Sequence, residues 1–337
     1  MVGIKDIARE AGVSTGTVSN VLNRPDTVAV HTRERVRAVI RDLGYVRSES
    51  ARQLRAGRSR IMGILVLDMA NPFFVDLAAG AEAAARSAGL GAMLCNSAQS
   101  PAEEATCLSL FAEQRVHGVL VSSADQDGAT LTAFARHGIP FVSLERRVPG
   151  LDASSVAVDD VAGGELAARH LIEGGHRSLA YLSGPMRLAQ CRDRHSGVLA
   201  ALHRAGLGTD CLHHIEADRL DVAAGRDAAS RLLGISPLPT AVFCANDLLA
   251  LGLLQVLFAA GLSVPEDISL VGYDDIEFAA AAAVPLTSVR QPARAMGRRA
   301  AELLIAEAAP DTGASEPQHL VFTPELAVRR SSMRRLG

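Results

Sequence analysis

Apolar residues recur at two different periods along this chain, and the change of period divides it. In the first 45 residues the spacing is helical throughout. Ile7, Ala8 and Ala11 share one face of a short helix over Ile4 to Ala11. Gly12 is placed to end it in the left-handed conformation. Ser14 then serves as N-cap for a second helix, Thr15 to Asn23, whose inward face is Val18, Val21 and Leu22. A third helix is expected from about Thr32 to Leu43, with Val36, Val39, Ile40 and Leu43 inward, Gly44 ending it and Tyr45 packing back. From residue 61 onward the pattern changes. Apolar strand-like runs alternate with helical stretches: IMGILVLD (61–68) before a helix at about 73–88, LGAMLCN (90–96) before one at 102–114, then HGVLVSS, PFVSLE, SLAYLSG, TAVFCAN and ISLVGYD. That βαβ alternation predicts parallel sheets with helices on both faces, a doubly wound α/β body behind an all-α head.

Composition sharpens the division. At 337 residues and 48% hydrophobic, the chain suffices for two or three domains with sizeable cores. It holds no apolar run of 18 residues, so no membrane span is expected. Met1 to Glu10 is charged and periodic, with no apolar core of a signal peptide, which makes the cytoplasm the expected location. The five cysteines are odd in number and widely spaced with no CxxC pair, which fits reduced thiols better than disulfides or zinc. The net charge of −3 hides an asymmetry. Residues 1–60 carry twelve Lys and Arg against six Asp and Glu, and the remainder is acidic. A basic head on an acidic body points to a polyanion at one end only.

The head has the spacing of a helix-turn-helix. Ala8 is small enough for two helices to approach, Gly12 makes the turn, and Val18 fills the angle between them. The outer face of the second helix then carries Thr15, Gly16, Thr17, Ser19 and Asn20, short groups suited to base edges and phosphates, and Asn23 at its end is counted with them. Arg33, Arg35, Arg37 and Arg41 line the outer side of the third helix. Residues 46–60 form a basic connector in which Ser48 to Arg55 could be a short helix, marginal in water unless held. Its one large apolar side chain, Leu54, is flanked by Arg52, Arg55 and Arg58. Two readings of Leu54 stand on spacing alone: a wedge between base pairs in the minor groove, or packing beneath the body.

The run IKDIAREAGVSTGTVSNVLN (Ile4–Asn23) closely resembles the DNA-binding head of the lactose-repressor (LacI) family, as do HTRERVRAVIRDLGY (His31–Tyr45) and ARQLRAGRS (Ala51–Ser59). The likeness continues through NPFF (Asn71–Phe74), EGGHRSLAYLSGP (Glu173–Pro185), AVFCANDLLALG (Ala241–Gly252), VPEDISLVGYDD (Val264–Asp275) and PLTSVRQP (Pro285–Pro292). The resemblance implies a DNA-binding head over 1–46 and a hinge over 47–60. It implies a periplasmic-binding-protein-like body over 61–331, with an N-lobe of about 61–158 plus 290–318 and a C-lobe of about 159–289 plus 319–331. It implies that Thr15, Gly16 and Asn20 read bases, that Leu54 intercalates, and that a homodimer sits on a near-palindromic operator. Two departures stand out: Arg47 occupies the position of a usual proline, and Ala29 that of a usual polar cap, which predicts a frayed start to the third helix. The C-terminus lacks leucine heptads, so no tetramerising coiled coil is expected.

Ligands of doubly wound sheets bind beyond the carboxyl ends of the strands. Polar residues gather at those points: Asp68, Asn71, Glu145, Arg146, Asp159, Asn246, Asp247 and Asp274. Phe73 or Phe74 offers an aromatic platform for a sugar face. Asp159 and Asp247 also fit helix capping. The family implies ligand contact for Asn246, Asp274 and Arg194, and Gln291 in PLTSVRQP is placed with them. Arg219 stands where relatives often carry an aromatic residue. Were Arg146, Arg194 and Arg219 all to face the cleft, an acidic or phosphorylated sugar would suit them; an exposed Arg219 is the alternative. No catalytic motif, metal set or cofactor site is evident. The expectation is therefore a non-enzymatic repressor whose operator affinity responds to a small metabolite by lobe closure. A ligand-binding protein without DNA function and an α/β enzyme are the rivals.

Overall fold

A computed structural model describes residues 2–45, 59–125, 127–144, 146–148, 150–309 and 316–333. The chain divides into two compact units, Met1–Arg58 and Ser59–Gly337.

The first unit is three helices, α1 (Ile4–Glu10), α2 (Thr15–Asn23) and α3 (Val30–Asp42), with a 3-10 turn at Pro25–Thr27. Its core is Ile7, Ala8, Ala11, Val18, Val21 and Val36, rimmed by Val13, Leu22, Val39, Ile40, Leu43 and Tyr45. Each helix end has a local cause. The Gly3 N–H donates to the Asp6 carboxylate at 3.0 Å, and the Thr17 N–H donates to Ser14 Oγ at 3.0 Å. Gly12 turns the chain at φ +61° with open space around it, so backbone conformation alone demands glycine there. The expected fraying of α3 is not seen: it begins at Val30, two residues before the expected start, although Ala29 supplies no side-chain cap. Arg33 braces this end instead, donating to the Pro25 carbonyl at 3.3 Å and reaching Asp26 at 3.5 Å.

The second unit holds two six-stranded sheets. The first contains β1 (Ile61–Val66), β2 (Gly91–Asn96), β3 (Gly118–Ser122), β4 (Phe141–Leu144), β5 (Ser155–Val158) and β11 (His319–Phe322), in the order β11-β5-β4-β3-β1-β2 and parallel throughout. The second contains β6 (Leu179–Ser183), β7 (Leu212–Glu216), β8 (Ala241–Cys244), β9 (Ser269–Asp274), β10 (Thr287–Arg290) and β12 (Glu325–Ala327), in the order β12-β10-β9-β8-β6-β7. Only β12 runs antiparallel among its paired strands. The N-lobe helices are α4 (Pro72–Ser87), α5 (Pro101–Glu113), α6 (Ala129–Ala135) and α12 (Ala293–Glu307). The C-lobe helices are α7 (Asp160–Glu173), α8 (Ala189–Arg204), α9 (Val222–Leu233), α10 (Asp247–Ala259) and α11 (Glu277–Ala281).

One boundary needs correction. Residues 319–322 were expected in the C-lobe, yet β11 pairs with β5 of the N-lobe sheet, Leu320 opposite Val156 and Phe322 opposite Val158. Leu320 and Phe322 pack on the core while His319 and Val321 face outward, the alternation of an edge strand. A four-residue alternating segment suits the edge of either sheet, so the pattern could not choose between them. The chain therefore passes between lobes after β5, after β10 and between β11 and β12.

Candidate functional site: a helix-turn-helix surface and an interlobe cleft

On the head, Ser14, Thr15, Gly16, Asn20 and Asn23 are exposed, and Thr17 and Ser19 are half-buried. The free surface is partly self-occupied. Thr17 Oγ1 and Ser14 Oγ lie 2.9 Å apart, and Asn23 Nδ2 donates to the Ser19 carbonyl at 2.8 Å. Arg35, Arg37 and Arg41 are exposed along α3, whereas Arg33 is turned onto the 3-10 turn. Arg52, Leu54 and Arg55 lie outside the described residues.

In the body, the carboxyl ends of β1, β8 and β9 converge on a narrow cavity of about 20 Å³. Phe73 and Phe74, at the start of α4, meet edge-to-face with centroids 5.0 Å apart and form its apolar wall with Leu67 and Leu220. Asn71 caps α4 through its Oδ1, which accepts from the Phe73 N–H at 3.0 Å. Its amide nitrogen crosses to the C-lobe and donates to Asp274 Oδ2 at 2.9 Å. Gln291, on the crossover after β10, donates to the other Asp274 oxygen at 2.8 Å. Burial pushes the Asp274 carboxyl up to about 6, against the pull of Arg194, Asn71 and Gln291. Asp274 and Asp275 both sit at positive φ, 102° and 55°. Buried Asp247 braces this bend, accepting from the Ile276 N–H at 2.9 Å and from Ser288 Oγ at 2.7 Å. Burial raises the Asp247 carboxyl well above the carboxylate range.

Arg194 projects from α8 onto the cavity floor. Its Nε donates to Asp160 Oδ1 at 2.7 Å, its Nη1 donates to the Ala245 carbonyl, and its Cζ lies 3.5 Å from the centre of the Tyr273 ring. Burial works against its charge, but adjacent Asp160 outweighs it and keeps the guanidinium protonated. The close approach of α7 to α8 positions this group. A Cβ at Gly164 would stand 2.0 Å from the Arg194 carbonyl oxygen, so only glycine lets the helices meet there. Gln190, one turn before Arg194, is buried and also lines the cavity. Asn246 caps α10, accepting from the Leu249 N–H at 2.9 Å and donating to the Leu220 carbonyl at 3.1 Å.

The third wall comes from the turn after β2. Gln99 Nε2 donates to Asp68 Oδ2 at 3.0 Å while its Oε1 accepts from the Leu220 N–H of the C-lobe at 3.2 Å. The Gln99 carbonyl accepts from Arg187 and the Ala98 carbonyl from Arg219, each at 3.2 Å. Ala98 and Gln99 adopt φ of 49° and 63°, unusual for residues with a side chain.

Asn71, Phe73, Phe74, Arg194, Asn246, Asp274 and Gln291 thus surround one cavity. Arg146 does not line it: its guanidinium donates to the Asp125 carbonyl. Arg219 is half-exposed at the rim, paired with Asp221 at 3.0 Å and 3.9 Å from Asp68. The three arginines therefore do not converge. Glu145 lies outside the described residues. Asp159 is a helix cap, accepting from the Ala162 N–H at 2.9 Å. Sequence reasoning missed Gln99, Gln190 and Asp160. Asp160 follows an obvious N-cap aspartate at a strand-to-helix junction, and that position was its only available signal. Among the described residues no His, Cys, Asp and Glu cluster could hold a metal ion. No helix among them is long and apolar enough to cross a membrane.

Comparison with known proteins decides the family. Residues 3–48 match the lacI family of bacterial regulatory proteins, and residues 168–332 match the periplasmic binding protein-like domain. The chain is 35% identical over 332 residues to the HTH-type transcriptional repressor PurR of Photobacterium profundum, covering 98% of both chains. This chain belongs to the lacI family. Among solved structures, this family member resembles the transcriptional regulator CelR in complex with cellobiose, with 34% identity, a TM-score of 0.73 and coverage of 98% of this chain and 100% of that one. It also resembles the lac repressor dimer bound to operator and the anti-inducer ONPF, with 27% identity, a TM-score of 0.85 and 99% coverage of both chains. In this lacI-family regulator, the exposed face of α2 and the cavity between the lobes are the two candidate sites.

Proposed function

We propose that this protein is a cytoplasmic, homodimeric transcriptional repressor without catalytic activity, whose operator affinity is set by a neutral, polyhydroxylated effector of the sugar class. The observation that carries the effector class is the charge around the cavity. Among the described residues, its one lining cation, Arg194, is already balanced by Asp160, while Asp68 and Asp274 also line it. An acidic or phosphorylated ligand would meet carboxylates with no uncommitted cation among the described lining residues to offset them. Hydroxyl groups suit the set: Asp68 and Asp274 accept, Gln190 and Gln291 donate or accept, and Arg194 Nη2 donates. Phe73 and Phe74 cover an apolar ring face. The liganded relative named for cellobiose supports the same class.

On the head, Thr15 and Asn20 are the side chains free to read base edges, with Thr17, Ser19 and Asn23 positioned for phosphates and Gly16 contributing backbone only. Arg52, Leu54 and Arg55 are assigned from the sequence to a hinge that grips the centre of a near-palindromic operator. Effector binding between the lobes alters their closure, and the dimer passes that change to the heads. The test is titration calorimetry with cellobiose, ribose and their acidic and phosphorylated derivatives, beside gel shifts on fragments of the neighbouring promoter. Binding by neutral sugars, with a shift in operator affinity, is expected. Preference for the acids, or no genomic fragment held above random competitor, overturns the reading.

A further inference from the structure

Outside the cleft and the head, two thiols meet on the outer face of the N-lobe. Cys95, next to last in β2, and Cys107, midway along α5, pack from outside on the cluster that includes Leu108 and Phe111. Both are half-buried and reduced. Cys107 Sγ lies 3.8 Å from the carbonyl oxygen of Asn96, the residue next to Cys95, and both thiols face the same apolar cluster. The arrangement puts two nucleophilic sulfurs from elements remote in sequence within reach of each other and of solvent. Cys191 and Cys244, by contrast, are fully buried, and Cys211 lies in the C-lobe just before β7.

We propose that Cys95 and Cys107 form a reversible dithiol–disulfide couple that exchanges with low-molecular-weight disulfides. The Cys95 thiolate attacks one sulfur of the reagent, making a mixed disulfide and expelling one reagent thiolate, which takes up the proton Cys95 lost. Cys107, deprotonated in turn, attacks the Cys95 sulfur and expels the second reagent thiolate, which takes up the Cys107 proton. Two electrons pass from the protein pair to the reagent, which leaves as two thiols. The order follows from the surroundings. Burial raises both thiols, and the neighbouring Cys107 side chain partly offsets this at Cys95. Cys107 is pushed up to about 11 by burial, by Cys95 and by the carboxylates of Glu103 and Glu104. Cys95 is therefore the attacking sulfur and Cys107 the resolving one. Closing the sulfurs to a bond of about 2.05 Å draws Cys107 off the Asn96 carbonyl. Asn96 also holds the turn, its Oδ1 accepting from the Met69 and Ala98 N–H groups at 3.3 and 3.1 Å. The bond would thus form one residue before the loop through which Ala98 and Gln99 reach the C-lobe.

The full-length protein, incubated with oxidised glutathione at pH 7, 8 and 9, is alkylated, digested and mapped by mass spectrometry. A Cys95–Cys107 disulfide peptide, reversible by dithiothreitol and forming roughly tenfold faster per pH unit while both thiols remain mostly protonated, is expected. Cys107→Ser, and Cys107→Ala as a second variant should the first misfold by circular dichroism, should stall with glutathione attached to Cys95. The proposal fails if wild-type protein stalls in the same way, if Cys95 pairs with another cysteine, or if both thiols stay open to alkylation at pH 9.

Discussion

The head and the cleft are built by opposite means. In the head the reading helix is set by neighbours a few residues away: Ser14 caps α2, Gly12 turns the chain, and the reading face is what the helical period leaves outside. In the cleft, partners lie far apart in sequence. Asn71 meets Asp274 across 203 residues, Gln99 meets Leu220 across 121, and Arg194 meets Asp160 across 34. A local site tolerates change at its surface because its scaffold is separate from its contacts. A site assembled from distant, buried charges uses the same side chains for both, so altering one disturbs fold and ligand together.

The strongest way to break this comparison is at Asp160. Both members of its pair with Arg194 have side chains only 5% exposed. Asp160→Asn keeps the shape but removes the negative charge, leaving a buried guanidinium to its carbonyl and ring contacts. Loss of one partner of a buried pair costs about 3–5 kcal/mol. Urea unfolding should show the body less stable by that amount, with the midpoint moved to lower urea, and binding of neutral sugars should fall with it. A change under about 1 kcal/mol would mean that Asp274 and Tyr273 already hold the charge, and the cleft would then be as tolerant as an exposed ion pair.

Next in size is the effect of pH on Asp274, whose carboxyl is pushed up to about 6 chiefly by burial. Its folded value lies above its ordinary one, so its contribution to stability is present in full below about pH 4 and is lost as pH rises through 6. The interval corresponds to about 3 kcal/mol. Ligand binding runs the other way, because an effector hydroxyl donates best to the ionised carboxylate. Calorimetry with a neutral sugar should therefore show affinity rising between pH 5 and pH 7 while intrinsic stability falls over the same range. Affinity independent of pH would remove Asp274 from the ligand's acceptors.

The same contrast governs what could be read from the sequence. The bounds of α2 and the βαβ order came from hydrophobic period and capping residues, which act over one or two turns. The start of α3 was misplaced because Arg33 stabilises it through Pro25 and Asp26, a contact outside the helix. The sheet joined by β11 was misplaced because its four residues alternate equally well on either edge. At the cleft, strand ends marked where polar residues would collect, but not where each side chain would turn. Arg146 and Arg219 sit in the expected segments and still turn to Asp125 and Asp221. Gln99 was unreadable for a different reason: Asn96 signals a turn, but the two residues that take the left-handed conformation, Ala98 and Gln99, are neither glycine nor asparagine.

The smallest expected effect sharpens the comparison from the head. Gly16 lies in the first turn of α2, exposed, and a Cβ there would meet only Ser14 Oγ at 3.5 Å, an ordinary contact. At Gly164 in the cleft the same added atom would lie 2.0 Å from backbone. Gly16→Ala should therefore stabilise α2 by about 0.5–1 kcal/mol, since alanine gives up less backbone freedom on entering a helix. Amide exchange along α2 in the full chain should slow by a factor of about 2–5, the range that energy corresponds to through RT. Faster exchange would show that the reading helix is packed against something its local geometry does not reveal, and the separation of scaffold from contact surface in the head would no longer hold.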